Sequence, residues 1–181
     1  MSRALPPVLI VPGLGNSGPQ HWQTHWQQRA PDFIRVEQAD WDKPDLADWL
    51  ARLDAAITAC PAPPIVVAHS LACSLLGHWV TRHGCELHGA LLVAPADVDS
   101  DSNTPPETWG FRPMPLARFA CPAIVVASTN DPYVDFERAR HFAARWNARF
   151  VDAGALGHIN SASDLRDWPF GWALLEDLAA S

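Results

Sequence analysis

The sequence has little positive charge and no long apolar segment. Lys and Arg number 13 against 20 Asp and Glu, a net charge of −7 that argues against a general binder of nucleic acid or anionic membranes. No segment approaches the roughly 18 consecutive apolar residues of a membrane span. The stretch MSRALPPVLIVPG has too short an apolar run for a secretion signal. We therefore expect a cytoplasmic protein with no nucleic-acid or membrane partner.

Cysteine is also scarce, and its spacing carries no metal or redox signature. Cys60, Cys73, Cys85 and Cys121 form no C-x-x-C pair, which favours reduced thiols. The 181 residues, 48% hydrophobic and 18% charged, suit one globular domain over residues 1–181. We expect a monomer or a small homo-oligomer.

Short apolar strands alternate with helical segments along the chain. The predicted strands lie within residues 8–11, 33–38, 64–69, 89–96, 122–128 and 148–154. The predicted helices lie within residues 19–30, 45–59, 71–82, 135–146 and 172–180. Several strands carry Val, Ile and Leu on consecutive positions, which indicates burial on both faces. The pattern predicts a compact α/β fold: a three-layer sandwich with a mostly parallel sheet of about six strands covered by helices.

Residues 97–119 interrupt this alternation. The segment holds Pro, Ser, Asp and one Trp without periodicity, so we expect a short loop or lid insertion. A lid of this length favours a shallow pocket edged by Trp109 or Phe111.

Polar side chains follow the predicted strands at their carboxyl ends, which share one edge in a parallel sheet. They are found in the 13–17 loop and at His69, Ser70, Asp97, Asn130, Asp131 and His158. A serine, an acid and a histidine therefore occur in the order Ser70, Asp131, His158. That order is the one found in α/β-hydrolases.

Ser70 lies between a strand and a helix, in the stretch A-H-S-L-A. A serine at such a turn sits on a sharp elbow that exposes its Oγ, and the N–H of the next residue points into the same space. Ala68 and Ala72 replace the glycines of the usual G-x-S-x-G pattern. Taken alone, Ser70 could equally be an N-cap of the following helix, and the downstream acid and histidine favour the elbow.

Other residues compete for some of these roles. Asp97 is an alternative acid or a pocket residue, whereas Asp131 stands before Pro132 in a constrained turn. His69 is expected to be structural. Four other histidines fall on helices or turns and are expected to be solvated: His78, His83, His88 and His141. His21 and His25 have the spacing of a helical metal pair, but no glutamate or third ligand accompanies them, so capping or packing is the better interpretation.

Four stretches spread over nearly the whole chain resemble the YdeN-like family of small serine hydrolases, which includes retinoblastoma-binding protein nine. They are VPGLGNSGPQHWQ (11–23), VAHSLA (67–72), ASTNDPYV (127–134) and GHINSASDLRDWPFG (157–171). The resemblance implies a compact α/β-hydrolase fold with Ser70 as nucleophile, Asp131 as acid and His158 as base. This family uses the alanine-flanked elbow.

The 13–17 loop reads as a simple turn or as a binding loop. It lacks the signatures of a phosphate loop. In a hydrolase the first such loop supplies an oxyanion donor, so the N–H groups of Leu14 and Leu71 are the candidate oxyanion hole. Gly13, Asn16 and Trp109 are the candidate substrate-binding residues.

The expected activity is hydrolysis of an ester or amide of a small substrate through an acyl-enzyme, with no metal and no organic cofactor. Two alternatives stay open. One is a hydrolase-fold protein that works by protein–protein recognition, and the other is a peptidase acting on short peptides or aminoacyl derivatives.

Overall fold

The computed structural model describes residues 5–181. Residues 1–4, which begin the stretch considered for a secretion signal, lie outside the described residues. The strands are β1 (Val8–Val11), β2 (Ile34–Arg35), β3 (Ile65–His69), β4 (Gly89–Val93), β5 (Ala123–Ala127) and β6 (Arg149–Asp152). The α-helices are α1 (Trp22–Arg29), α2 (Leu46–Thr58), α3 (Leu71–His83), α4 (Phe136–Trp146) and α5 (Pro169–Ala179). Two short 3₁₀ turns span Pro106–Phe111 and Ser161–Ser163.

The six strands form one parallel sheet in the order β2-β1-β3-β4-β5-β6. This confirms the predicted fold class. Because every strand runs the same way, the carboxyl ends of β1, β3, β5 and β6 meet at one edge of the sheet. The loops after these strands can therefore bring distant residues together.

Helices cover both faces of the sheet, and the strands alternate their side chains between them. Leu9 and Val11 pack with residues of α2, α3 and α4 on one face. Val8 and Ile10 pack with residues of α1 and α5 on the other. All residues of β1, β3, β4 and β5 are buried, as the consecutive apolar runs predict.

Several element boundaries differ from the prediction, three of them with a clear structural reason or consequence. Strand β2 is only two residues long, at the edge of the sheet. Helix α1 begins at Trp22, because the His21 side chain caps it by accepting from the Gln23 N–H. Helix α5 begins at Pro169, three residues before the predicted start, since proline fits the first position of a helix.

The 97–119 segment contains the 3₁₀ turn at Pro106–Phe111 and is held to the helices beneath it. Trp146 of α4 donates its indole N–H to the Pro115 carbonyl at 2.7 Å. Pro115 also packs against Gly77 of α3, where an added Cβ would lie 2.7 Å from Pro115 Cγ. Contacts with both helices thus anchor the carboxyl-terminal half of the segment.

The four cysteines are free thiols. Among residues 5–181, none of the helices combines the length and the apolar character needed to cross a bilayer.

Candidate active site

Ser70 occupies a strained turn between β3 and α3. Its backbone has φ 59° and ψ −122°, in the left-handed half of conformational space that a non-glycine residue adopts only at a cost. The Ser70 N–H donates to the Val93 carbonyl at 3.0 Å. Ser70 occupies the N-cap position of α3, but its side chain makes no capping hydrogen bond to the helix. The turn leaves Oγ to interact with other loops.

Ser70, His158 and Asp131 are joined by hydrogen bonds. His158 Nε2 lies 2.8 Å from Ser70 Oγ. His158 Nδ1 lies 2.9 Å from each carboxylate oxygen of Asp131. His158 and Asp131 are buried. The structure therefore brings together the three side chains that the sequence places on different strand ends and joins them by hydrogen bonds.

Asp97, the alternative acid, has a different partner. Its Oδ2 accepts from Arg138 Nε at 3.0 Å, and the same guanidinium reaches Asp99 Oδ2 at 3.1 Å. The Asp97 carboxylate is thus committed to α4. Its backbone N–H donates to the Tyr133 carbonyl at 3.0 Å, so Asp97 supports the loop that carries Asp131 without replacing it.

The loop after β1 packs directly against the serine turn. A Cβ added to Gly13 would lie 2.9 Å from the His69 carbonyl oxygen and 3.0 Å from Ser70 Cβ. Leu14 and Leu71 both line the cavity beside Ser70. Within residues 5–181, neither of their backbone N–H groups donates to another protein atom. An oxyanion hole consists of unpaired amide N–H groups of this kind, and these two lie beside the Ser70 side chain.

The half-buried Arg35 and the buried Gln23 hold this loop in place. Arg35 Nη1 donates to Asn16 Oδ1 at 2.8 Å and to the Ser17 carbonyl at 2.9 Å. Gln23 Oε1 accepts from Ser17 Oγ at 2.6 Å, and its Nε2 donates to the Val11 and Val67 carbonyls at 3.3 and 3.1 Å. The loop is therefore fixed before any substrate arrives.

Two further imidazoles flank His158. Burial, with smaller contributions from the charges of Arg35 and His158, lowers the pKa of His21 to about 3. Burial likewise lowers the pKa of His69 well below its usual value. His69 Nε2 lies 3.0 Å from the His158 carbonyl, which agrees with the structural role expected for it. Because their pKa values are lowered, both rings are neutral at ordinary pH and place no cation beside His158.

The remaining histidines have separate roles. His21 caps α1, and His25 Nδ1 lies 3.6 Å from Asp167 Oδ1, so the two rings have different partners. The capping interpretation is confirmed for His21. The prediction of solvation is wrong for His78, because its Nε2 bonds the Phe111 carbonyl at 2.8 Å and joins α3 to the 97–119 segment.

A second set of hydrogen bonds joins the loops that carry Asp131 and His158. Asn130 Oδ1 accepts from the Gly157 N–H at 2.7 Å and from Ser128 Oγ at 2.9 Å. Ser128 Oγ in turn accepts from the Leu156 N–H at 2.9 Å. Sequence reasoning placed Asn130 at a strand end but assigned it no role, because its partner is 27 residues away.

The cavity above Ser70 has a volume of about 410 Å³. Its lining includes both predicted oxyanion residues and Asn16, together with residues that the sequence analysis did not select: His21, Ala96, Thr104, Pro105, Thr108, Tyr133, Asn160, Ser161 and Ala162. The lone tyrosine, Tyr133, packs against His158 with ring centroids 4.4 Å apart and ring planes tilted by 56°.

Two predicted substrate-binding residues do not line this cavity. Gly13 is buried behind it, because its Cα packs on the backbone of the serine turn. Trp109 is held on the outer surface by an N–H bond to the Thr104 carbonyl at 3.3 Å and by the guanidinium of Arg112 over its ring at 4.3 Å. Phe111, the other candidate edge residue, is fully buried in the core. The 97–119 segment contributes Thr104, Pro105 and Thr108 instead.

Comparison with known proteins gives one family and a set of similar structures. A family model described as "Serine hydrolase" matches residues 8–177. No curated protein sequence matches the chain. A YdeN-like hydrolase from Pectobacterium atrosepticum is 30% identical, with 96% of this chain and 90% of that chain covered and a TM-score of 0.85.

More distant structures share the fold. The ydeN gene product from B. subtilis is 20% identical, with 97% of this chain and 100% of that chain covered and a TM-score of 0.78. Est1E from Butyrivibrio proteoclasticus is 13% identical, with 97% and 89% covered and a TM-score of 0.69.

Proposed function

Because the chain belongs to the serine hydrolase family, we propose that it cleaves an ester or amide of a small substrate through an acyl-enzyme on Ser70. The observation that carries the proposal is the hydrogen-bonded line from Asp131 through His158 Nδ1 and Nε2 to Ser70 Oγ, at 2.9 and 2.8 Å. Three side chains from three separate loops meet in this arrangement, which a merely structural serine does not need.

The first step is attack on the substrate carbonyl. Because Nδ1 of His158 faces the Asp131 carboxylate, the neutral ring carries its proton there and offers the Nε2 lone pair to Ser70. As Oγ bonds to the carbonyl carbon, its proton passes to Nε2. Asp131 then stabilises the imidazolium and keeps the ring in place.

The negative charge that develops on the carbonyl oxygen needs donors at a defined position. The backbone N–H groups of Leu14 and Leu71 fill this role in the proposal. Such donors are typically worth about 3–4 kcal/mol of transition-state stabilisation each. Since Arg35 and Gln23 hold the 13–17 loop, little reorganisation is needed when the charge appears.

The intermediate collapses when the bond to the leaving group breaks and His158 returns its proton to the departing oxygen or nitrogen. Water then attacks the acyl group on Ser70 with His158 again as base, and the acid product leaves. The cycle uses only groups of this chain and water.

A fluorophosphonate probe tests the proposal, because it reacts only with an activated serine. We expect labelling of the wild-type protein at Ser70 and none of Ser70→Ala. Ser74→Ala is the matched control, since Ser74 lies one turn further along α3, is buried and makes no side-chain hydrogen bond in the described part of the chain. If the folded wild-type protein stayed unlabelled, the alternative of a hydrolase-fold protein that works by protein–protein recognition would be favoured.

Esterase and peptidase activities can be distinguished with esters and amides that are both attacked at a carbonyl carbon and differ in the leaving group. A panel of p-nitrophenyl esters and aminoacyl p-nitroanilides reports both reactions by one absorbance signal. Loss of each measured activity in Ser70→Ala ties it to the proposed nucleophile.

A further inference from the structure

Two asparagines in the cavity wall have a determined orientation. Asn16 Oδ1 accepts from Arg35 Nη1 at 2.8 Å and from the Ser17 N–H at 2.7 Å. Asn160 Oδ1 accepts from the Ala162 N–H at 3.0 Å. These partners are donors only, so in each amide the oxygen must face them and the NH₂ group must face the other way.

The two NH₂ groups are unused by the protein. Within residues 5–181, neither Asn16 Nδ2 nor Asn160 Nδ2 donates to a protein atom, and neither is sealed from solvent. Both residues are half-buried and line the cavity. They come from the loops that carry Leu14 and His158, so the unused donors belong to the immediate surroundings of Ser70.

His21 adds a donor deeper in the same wall. Its Nδ1 accepts from the Gln23 N–H at 3.1 Å, and burial keeps the ring neutral, so its proton is on Nε2. His21 is 3% exposed, and its Nε2 has no hydrogen-bond partner in the described part of the chain. A buried donor without a partner costs free energy that a bound acceptor atom would recover.

The rest of the lining, as the described residues form it, has no carboxylate, guanidinium or ammonium group. It consists of small aliphatic, hydroxyl and aromatic side chains and of imidazoles. A charged group of a substrate would lose hydration there without gaining a counter-charge. An ether or carbonyl oxygen, in contrast, can accept from the N–H donors at little desolvation cost.

We propose that the side-chain N–H groups of Asn16, Asn160 and His21 bind acceptor oxygens of the substrate, and that the site selects uncharged esters with an ether or carbonyl oxygen near the scissile bond. This inference rests on the proposed function. It gives the candidate binding residue Asn16 a defined role, adds Asn160 and His21 as specificity residues, and adds a substrate class.

Isosteric esters test the inference in the wild-type protein. On the acyl side, p-nitrophenyl methoxyacetate is compared with p-nitrophenyl butyrate and with an ester whose acyl chain ends in trimethylammonium. On the alcohol side, 2-methoxyethyl acetate is compared with butyl acetate by titration of released acid. Each kcat/KM is divided by the hydroxide-catalysed rate of the same ester. We expect the ether to exceed its alkyl isostere by about tenfold in at least one series, as for one hydrogen bond, and the cation to be the poorest substrate.

Asn16→Asp and Asn160→Asp change the donors with little change of shape. An aspartate keeps the oxygen that accepts from Arg35, Ser17 or Ala162 and replaces NH₂ by a negative oxygen. The ether-to-alkyl ratio should fall toward one, and the cation-to-alkyl ratio should rise about tenfold. His21→Asn keeps the helix cap but replaces the imidazole by a shorter amide that does not reach as far into the cavity. It should therefore lower the ether-to-alkyl ratio and leave the cation-to-alkyl ratio unchanged. Asn147→Asp is the control, since Asn147 follows α4 outside the cavity and, like Asn16, has a left-handed backbone.

The outcomes separate this inference from the proposed function. If no ester is hydrolysed in a Ser70-dependent way, the proposed function fails. If esters are hydrolysed but the ether and alkyl rates are equal in both series, or the cation matches the neutral ester, the inference is overturned. It is also overturned if Asn16→Asp and Asn160→Asp have the same ether-to-alkyl and cation-to-alkyl ratios as the control Asn147→Asp.

Discussion

Asp97 and Arg138 form a salt bridge at 3.0 Å that joins the end of β4 to α4. Asp97 is mostly buried and Arg138 is half-buried, and the guanidinium also holds Asp99. This contact distinguishes two acids that occupy equivalent positions in the sequence. The carboxylate of Asp97 stabilises the cavity wall, whereas both oxygens of Asp131 lie 2.9 Å from His158 Nδ1.

We therefore expect Asp131→Asn to lower mainly the activity and Asp97→Asn to lower mainly the stability of the fold. The first removes the charge that stabilises the His158 imidazolium, and the same change costs about 10⁴-fold in kcat in a triad protease. The second should lower the free energy of unfolding by about 1–3 kcal/mol and leave kcat/KM within about tenfold. Steady-state kinetics and urea unfolding of both variants measure this. If Asp97→Asn lowered kcat/KM strongly while Asp131→Asn lowered it little, Asp97 and not Asp131 would be the acid.

Gly13→Ala should damage activity more than Gly18→Ala. The added methyl group would lie 2.9 Å from the His69 carbonyl oxygen and 3.0 Å from Ser70 Cβ, so the loop must move away from the serine turn. That movement displaces the Leu14 N–H, and loss of one oxyanion donor costs about 10²–10³-fold in kcat. Gly18 has open space around its Cα and serves as the control. Equal kcat in the two variants would contradict a role for this loop in the oxyanion hole.

Acid should destabilise the protein through His21. Its pKa is about 3 in the folded protein because of burial, and its ordinary value is 6.5. Below pH 6.5 the unfolded chain binds a proton that the folded protein does not, so stability present above pH 6.5 falls as the pH decreases toward 3. Between pH 6.5 and 5 this one group accounts for about 2 kcal/mol. His69 acts in the same direction.

His21→Asn checks the linkage because asparagine keeps an acceptor for the Gln23 N–H and does not titrate. Urea unfolding at pH 7.5, 6.5 and 5 gives the free energy of unfolding of each protein. The variant should lose about 2 kcal/mol less than the wild type between pH 6.5 and 5. If the free energies of unfolding of both proteins depended on pH in the same way, His21 would bind its proton equally well in the folded and unfolded states.

The fold and the meeting point of the site could be predicted because both follow from local patterns. Consecutive Val and Ile in β3 and β5 indicate a buried parallel sheet, and such a sheet collects its strand ends at one edge. Ser70, Asp131 and His158 follow three of those ends. Their catalytic roles stay a prediction, although their geometry agrees with it.

The rest of the site depends on contacts between residues far apart in the chain. Arg138 reaches Asp97 across 41 positions, and Asn130 reaches Gly157 across 27. No local spacing encodes such pairs. The short lid segment predicts Trp109 at the pocket edge, but its indole N–H donates to the Thr104 carbonyl and its ring lies outside the cavity. The orientation of Asn16 likewise depends on Arg35, which is 19 residues away.

The last prediction concerns Asn130, which joins the loop that carries Asp131 to the loop that carries His158 and makes no hydrogen bond to Ser70. Asn130→Ala removes the acceptor of the Gly157 N–H at 2.7 Å and of Ser128 Oγ at 2.9 Å. The 154–157 loop can then shift, and a shift of about 1 Å at His158 can lower kcat by about 10²-fold. Asn130→Asp keeps the accepting oxygen, so it should restore most of kcat. KM should change little in either variant, because Asn130 does not line the cavity. If the alanine and aspartate variants lose kcat equally, or if KM accounts for the loss, the loop contact does not position His158.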